Sequence, residues 1–233
     1  MKRFYDKAEA VETESGFIVQ LDGRPIKTQG GRPQIVPTRA LAERLAAEWN
    51  AQGETIDPAT FHARDTVDYA IDVVARDRAA IIDKLLSYGE TDTLCYRADP
   101  DEPFRRRQQE VWEPLVTALE AREGVSMQRV SGIVHRPQPS DTMARLRTRL
   151  ERLDRFALAA LEQLTALATS LCIGLGALEE DADGETLWDA ANLEEDWQAE
   201  RWGRDEEAAD RRARRKADFH AAARFARAAP ISA

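Results

Sequence analysis

The sequence predicts an α+β fold, with a small β-rich N-terminal domain followed by a larger all-helical C-terminal domain. Three observations predict it. Gly16–Leu21 (GFIVQL), Asp22-Gly23 and Pro25–Thr28 (PIKT) read as a strand, a two-residue hairpin turn and a return strand. Beyond residue 60, apolar residues recur at helical spacing in most segments. The longest such run lies in 141–178, where Leu146, Leu150, Leu153, Ala157, Ala160, Leu164, Leu167 and Leu171 alternate at intervals of four and three.

Taken in order, residues 1–37 read as β, with Gln34–Val36 as a third short strand before Pro37. Thr38 is a suitable N-cap for a helix over 39–50 that turns Leu41, Leu45, Ala46 and Trp49 inward. Gly53–Pro58 breaks the pattern. A helical region follows from about Arg64, and another spans 76–88 with Gly89 as its stop. Thr91–Arg97 (TDTLCYR) is β-branched and aromatic, hence extended, and Thr91 and Asp92 suit hydrogen bonds to local backbone. A helix entered through Pro103 runs over 102–123, and 125–134 returns to β. The division is placed at residue 60, giving domains 1–60 and 61–233, with the segments at 91–97 and 125–134 as further strands for the first. Residues 141–178 are expected to form one central helix. After Phe156 its only charge is Glu162, so that half should be covered on several sides. Helices over 185–202 and 205–229 complete the chain.

Composition narrows the function classes. A 233-residue chain with 43% hydrophobic and 32% charged residues is long enough to bury a core and reads as soluble and globular. The net charge of −9 argues against a nucleic-acid partner. Residues 179–207 hold thirteen acids against Arg201 and Arg204, so the acidity belongs to one local surface, followed at once by the basic run Arg211–Lys216. The longest weakly charged run, Gln163–Leu178, is too short to span a bilayer, which excludes membrane insertion. Cys95 and Cys172 in apolar surroundings fit reduced thiols of a cytoplasmic protein. His62, His135 and His220 are scattered, with no metal-type spacing. Neither a nucleophile elbow nor a phosphate-binding loop is present, and Ile173–Gly176 (IGLG) follows a helix rather than a strand. No catalytic residue, cofactor site or metal site emerges.

One stretch stands apart. Leu193–Gly203 (LEEDWQAERWG) combines two of the five tryptophans, four carboxylates and a glutamine in one candidate helix. At 100° per residue, Trp188, Ala191, Glu195, Ala199 and Trp202 share one stripe, with Gln198 at its edge; Ala190, Leu193 and Trp197 share the opposite one. Leu193 and Trp197 are expected to face the core, leaving Glu195 and Trp202 at a binding surface. Adjacent carboxylates diverge on a helix, which argues against their convergence on one substrate. The competing reading is a small enzyme that uses a carboxylate near Glu195, with Arg105–Arg107 or Arg211–Lys216 as an anion clamp.

Four separated segments carry a family resemblance. The first is Lys2–Tyr5 (KRFY) with LDGRPIKT at Leu21–Thr28 and Ile35–Pro37. The second is LAAEWNAQ at Leu45–Gln52, with Ile56–Pro58. The third, and very specific, is TDTLCYR at Thr91–Arg97 with QQEVWEP at Gln108–Pro114. The fourth is the acidic run Glu194-Glu195-Asp196 followed by Trp197, Gln198 and Trp202-Gly203. Over residues 2–227 the chain resembles the assembly chaperones of the F-type ATP synthase that act on its α subunit. Trp197 stands where other members carry tyrosine, a like-for-like amphipathic aromatic. The resemblance implies a non-catalytic, monomeric chaperone without cofactor that binds the unassembled α subunit through Glu194, Glu195, Gln198, Trp202, Gly203 and Glu206. A chain beginning at the family's first motif, without a transit peptide, implies a bacterial cytoplasmic member.

Overall fold

A tight turn needs two residues that tolerate positive φ, and Asp22 and Gly23 supply them at 48° and 80°. The hairpin they close joins β2 (Gly16–Leu21) to β3 (Arg24–Pro25), and β1 (Ala8–Thr13) flanks β2 on its other side. The antiparallel register runs from Ala8 opposite Leu21 to Thr13 opposite Gly16. β1 is the strand that sequence patterning leaves unmarked, because AEAVET lacks bulky alternation and is ordered by its neighbours. The strand expected at Gln34–Val36 reduces to one bridge, in which Phe17 and Val36 exchange backbone hydrogen bonds of 2.9 and 2.8 Å.

The computed structural model describes residues 1–132, 134–203 and 205–229. It is mostly helical with this small sheet near the N-terminus. The chain forms two compact units: residues 1–78, 153–160 and the end of the chain from Arg224 make the first, and 79–152 and 161–223 the second.

In the first unit, α1 (Arg39–Asn50) packs on the sheet through Leu41, Ala42, Leu45, Ala46 and Trp49. Thr38 caps it, accepting from the Leu41 N–H at 3.2 Å. Its other end is tied to β1 by the Asn50 amide, which accepts from and donates to the Ala8 backbone at 2.8 Å each way. Arg3 donates to the Gln52 carbonyl at 2.6 Å and the Tyr5 hydroxyl to the Trp49 carbonyl at 2.5 Å. The first two motifs of the sequence are therefore mutual anchors. α2 (His62–Tyr69) widens into a π-helical turn over Ala70–Val74 and continues as α3 (Ala75–Glu90). Asp68 and Asp72, from this stretch, hold the loop after β3: Asp68 accepts from Gln34 and the Gln29 N–H, and Asp72 from Thr28 and the Gly30 N–H.

The second unit is helical. Gly89 lies inside α3 rather than stopping it; a Cβ there would come within 3.0 Å of Leu171, so the glycine marks a close approach. β4 (Tyr96–Arg97) pairs in parallel with β5 (Val130–Ser131), and the extended segments expected to join the N-terminal strands pair with each other instead. Ile133, at the end of the expected strand 125–134, lies outside the described residues. α4 (Pro103–Glu123) ends at Gly124, whose φ of 64° is the left-handed cap.

The single helix expected over 141–178 is three: α5 (Ser140–Arg152), α6 (Arg155–Ala168) and α7 (Leu171–Gly176). The apolar period is continuous, but short polar side chains cut it. Asp154 accepts from the N–H groups of Phe156 and Ala157 at 2.7 and 2.8 Å and restarts the chain as α6. Thr169 turns to a φ of 51°, and Ser170 caps α7 through the Ile173 N–H at 3.1 Å. The apolar second half is covered on most sides: Phe156 to Leu161 are all buried, while Ala166 is exposed and Leu167 half-buried. Glu162 forms a 2.9 Å ion pair with Lys84. α7 packs so closely that a Cβ on Gly174 would lie 2.3 Å from the Thr165 hydroxyl and 3.0 Å from Leu161. Gly174→Ala is expected to lower unfolding free energy by about 1–3 kcal/mol, read by urea denaturation.

Candidate partner-binding site

The helix expected over 185–202 is also interrupted. α8 (Gly184–Ala191) stops at Asn192, whose side chain donates back to the Trp188 carbonyl at 2.8 Å, and α9 (Leu193–Trp202) starts anew. The break separates the stripes drawn from sequence. Trp188 is fully buried against Phe219, while Trp202 is 76% exposed, so they do not share a surface.

α9 is held by its inner side. The Trp112 indole donates to the Ala190 carbonyl at 2.8 Å, fixing the chain just before α9. Leu193 is buried, and Trp197, half-buried, stacks on Phe104 at 5.4 Å. The guanidinium groups of Arg107 and Arg201 lie 5.7 and 4.9 Å from the Trp197 ring centroid. Trp112→Phe removes the bond to Ala190 and puts a smaller phenyl ring in a fully buried site, and is expected to cost about 2–3 kcal/mol in chemical denaturation.

Two of the four acids of α9 are already neutralised. Arg107 grips Glu200 with two bonds of 2.6 and 2.9 Å. From α10 (Glu206–Ala228), Arg212 pairs with Asp196 at 2.6 Å. Lys216 and His220 both reach Glu185 of α8. Arg105 donates to the Ala98 carbonyl and the Ser131 hydroxyl, and Arg106 pairs with Glu110. Of the expected anion clamp only Arg212 comes near Glu195, and its close bond is to Asp196, while Arg105–Arg107 and Lys216 are held by other internal partners. A hollow of about 660 Å³ does join Arg107, Arg212 and Lys216, but Asp196 and Glu200 line it with them, and Glu195 does not.

Of the six residues expected to meet a partner, Glu195, Gln198, Trp202 and Gly203 line one smaller hollow of about 280 Å³ between α9 and the start of α10. Glu194 lies apart, beside Arg97 and Phe104, and also makes a 3.5 Å contact with Gln198. Glu206 is exposed in the first turn of α10 but does not line the hollow. Five further residues line it: Ala199 of the Trp202 stripe, Arg212 of the basic run, and Asp205, Ala208 and Ala209, which were not foreseen. Asp205 caps α10 through the Ala208 N–H at 3.0 Å, so an N-cap signal in the sequence could have brought it in. Glu195 reaches Arg212 only at 3.8 Å, a long ion pair that leaves the Glu195 side chain half exposed. The hollow sets the exposed Trp202 indole beside the carboxylates of Glu195 and Asp205 and the guanidinium of Arg212.

The carboxylate most displaced in its titration lies elsewhere and is sealed. Burial pushes Asp92 up to about 6, yet it is fully buried and accepts from Leu94 N–H, Ser170 Oγ and Cys172 N–H at 2.8–3.0 Å. Burial likewise pushes the Cys95 thiol up to about 12, and both cysteines are free and buried. Among the described residues, no group of three or more His, Cys, Asp or Glu side chains is placed to hold a metal ion, and no helix is long and apolar enough to cross a membrane.

Known proteins share this sequence and fold. The family model of the ATP12 chaperone protein matches residues 2–120. Mitochondrial protein atp12 of Schizosaccharomyces pombe is 28% identical over 220 residues, covering 89% of this chain and 75% of that protein. The crystal structure of Atp12 from Paracoccus denitrificans superposes with a TM-score of 0.93 at 36% identity, covering 98% of each chain. An aspartate-to-lysine mutant of the P. denitrificans protein gives 0.91 at 37%, covering 96% of each. The Atu1473 protein of Agrobacterium tumefaciens gives 0.93 at 37%, covering 97% of this chain and 85% of that one. These matches, with the four motifs read from the sequence, show that the chain belongs to the ATP12 chaperone family.

Proposed function

We propose that this chain is a cytoplasmic, monomeric assembly chaperone of the F-type ATP synthase that binds the unassembled α subunit and shields the surface later covered by the β subunit. It turns over no small molecule. Membership of a chaperone family supports the reading, and the observation that carries it is the face of α9, where Trp202 stands 76% exposed beside Glu195. A free subunit of an obligate ring presents a large apolar interface and aggregates unless it is covered. The shield must also leave when the true partner arrives, so it has to bury less or pair less well. One exposed indole supplies contact area, and carboxylates supply orientation and on-rate toward basic side chains.

Co-expression tests the reading. The α subunit expressed alone is expected to pellet, and with this chain to remain in the supernatant and co-purify with it. Unchanged α-subunit solubility, or unchanged synthase assembly in a strain lacking the protein, would sink the proposal.

A further inference from the structure

We infer that the first unit carries a second binding cleft, for an extended polypeptide segment in which acidic residues sit beside apolar side chains. The cleft, of about 530 Å³, is lined by the N-terminal segment, β2, the turn into β3, α1 and α2, all within that unit. Its volume falls in the range of about 300–1,000 Å³ typical of ligand clefts. Phe4, Tyr5, Leu21, Pro25, Ile26 and Trp49 give it an apolar lining. Phe4 is 63% exposed, a large apolar side chain left in water at this position.

The charges of the lining select the occupant. Asp22 and Asp68 are committed internally, Asp22 to the Asp6 and Lys7 N–H groups and Asp68 to Gln34 and the Gln29 N–H. Arg64 pairs with Asp65 at 2.6 Å. Arg24 and Lys27 line the cleft and are exposed, and among the described residues neither side chain makes a hydrogen bond or salt bridge; Arg24 acts on Asp22 only as a longer-range charge. The available charge is therefore positive. Trp49, 8% exposed, stands in the wall of the cleft, so its indole reports on what enters it. A segment with carboxylates for Arg24 and Lys27 and apolar side chains for the lining meets both demands. The cleft has the opposite charge to the α9 face, and the inference does not depend on that face.

The test is indole N–H NMR on the full ¹⁵N-labelled chain, with the Trp49 resonance assigned by Trp49→Phe. The probes are a blocked hexapeptide alternating leucine and glutamate, and the same peptide with lysine in place of glutamate. The glutamate peptide is expected to shift the Trp49 resonance saturably. Combined Arg24→Glu and Lys27→Glu, both at exposed positions, is expected to weaken binding about tenfold, and Trp202→Ala to leave it unchanged. A Trp49 resonance that does not move, equal binding of the lysine peptide, full affinity in the double reversal, or loss of binding in Trp202→Ala would each overturn the inference. None of these results bears on α-subunit solubility, so the two proposals fail separately.

Discussion

Asp92→Ala is expected to lower the unfolding free energy by about 3–5 kcal/mol, enough to leave much of the chain insoluble on expression. The effect comes from three donors at once. Asp92 accepts from the Leu94 N–H at 3.0 Å, the Ser170 hydroxyl at 2.8 Å and the Cys172 N–H at 2.9 Å, all in a site closed to water. It therefore caps the short 3-10 turn at Thr93–Cys95 and also supports the start of α7. Alanine orphans all three donors.

The same residue gives a pH signature. Burial raises Asp92 to about 6, above the ordinary aspartate value of roughly 3.9. The folded chain then holds this proton more tightly than the unfolded chain. Its contribution to stability is complete below about pH 4 and is lost as pH rises through about 6, a span worth about 3 kcal/mol. The difference in unfolding free energy between wild type and Asp92→Asn is expected to fall over that window. A flat or rising difference, measured by urea titration at each pH, would contradict the assignment.

Trp202→Ala and Trp197→Ala are expected to fail in opposite ways. Trp202 is largely in water, so truncation should change folding stability by less than about 0.5 kcal/mol. An exposed aromatic that anchors an interface is worth about 2 kcal/mol or more in binding, roughly thirtyfold in affinity for the α subunit. Trp197 lies between Phe104 and the guanidinium groups of Arg107 and Arg201. Its truncation should cost about 1–3 kcal/mol of stability and reduce binding only by disturbing α9. Glu195→Lys should follow Trp202→Ala, losing α-subunit protection with an unchanged melting temperature. Paired thermal melts and α-subunit aggregation assays separate the classes; equal loss of both properties in Trp202→Ala would show that it is structural.

Much of the fold is legible because local chemistry dictates it. The Asp22-Gly23 turn, the Thr38 cap and the helix entered through Pro103 all stand where the sequence places them. The motifs are legible as motifs but not as contacts. TDTLCYR and QQEVWEP interlock: Arg97 donates to the Gln108 carbonyl and to Glu113, and the Gln108 side chain accepts from the Ala98 N–H. What sequence hides is where a continuous apolar pattern is cut. Asp154, Ser170 and Asn192 each offer the backbone a side-chain partner, and each ends or restarts a helix that periodicity carries straight through. The break at Asn192 decides the site, since it sends Trp188 into the core and leaves Trp202 outside. Likewise, only folding brings Arg107 onto Glu200 and Arg212 onto Asp196, which tells paired acids from open ones.

If the chain holds the α-subunit surface destined for the β subunit, as proposed, the β subunit displaces it. The direct measurement is a titration of purified β subunit into a preformed complex of this chain with the α subunit, followed by size-exclusion chromatography. Release of the chain as α and β associate is the predicted result; a stable complex containing all three would contradict it.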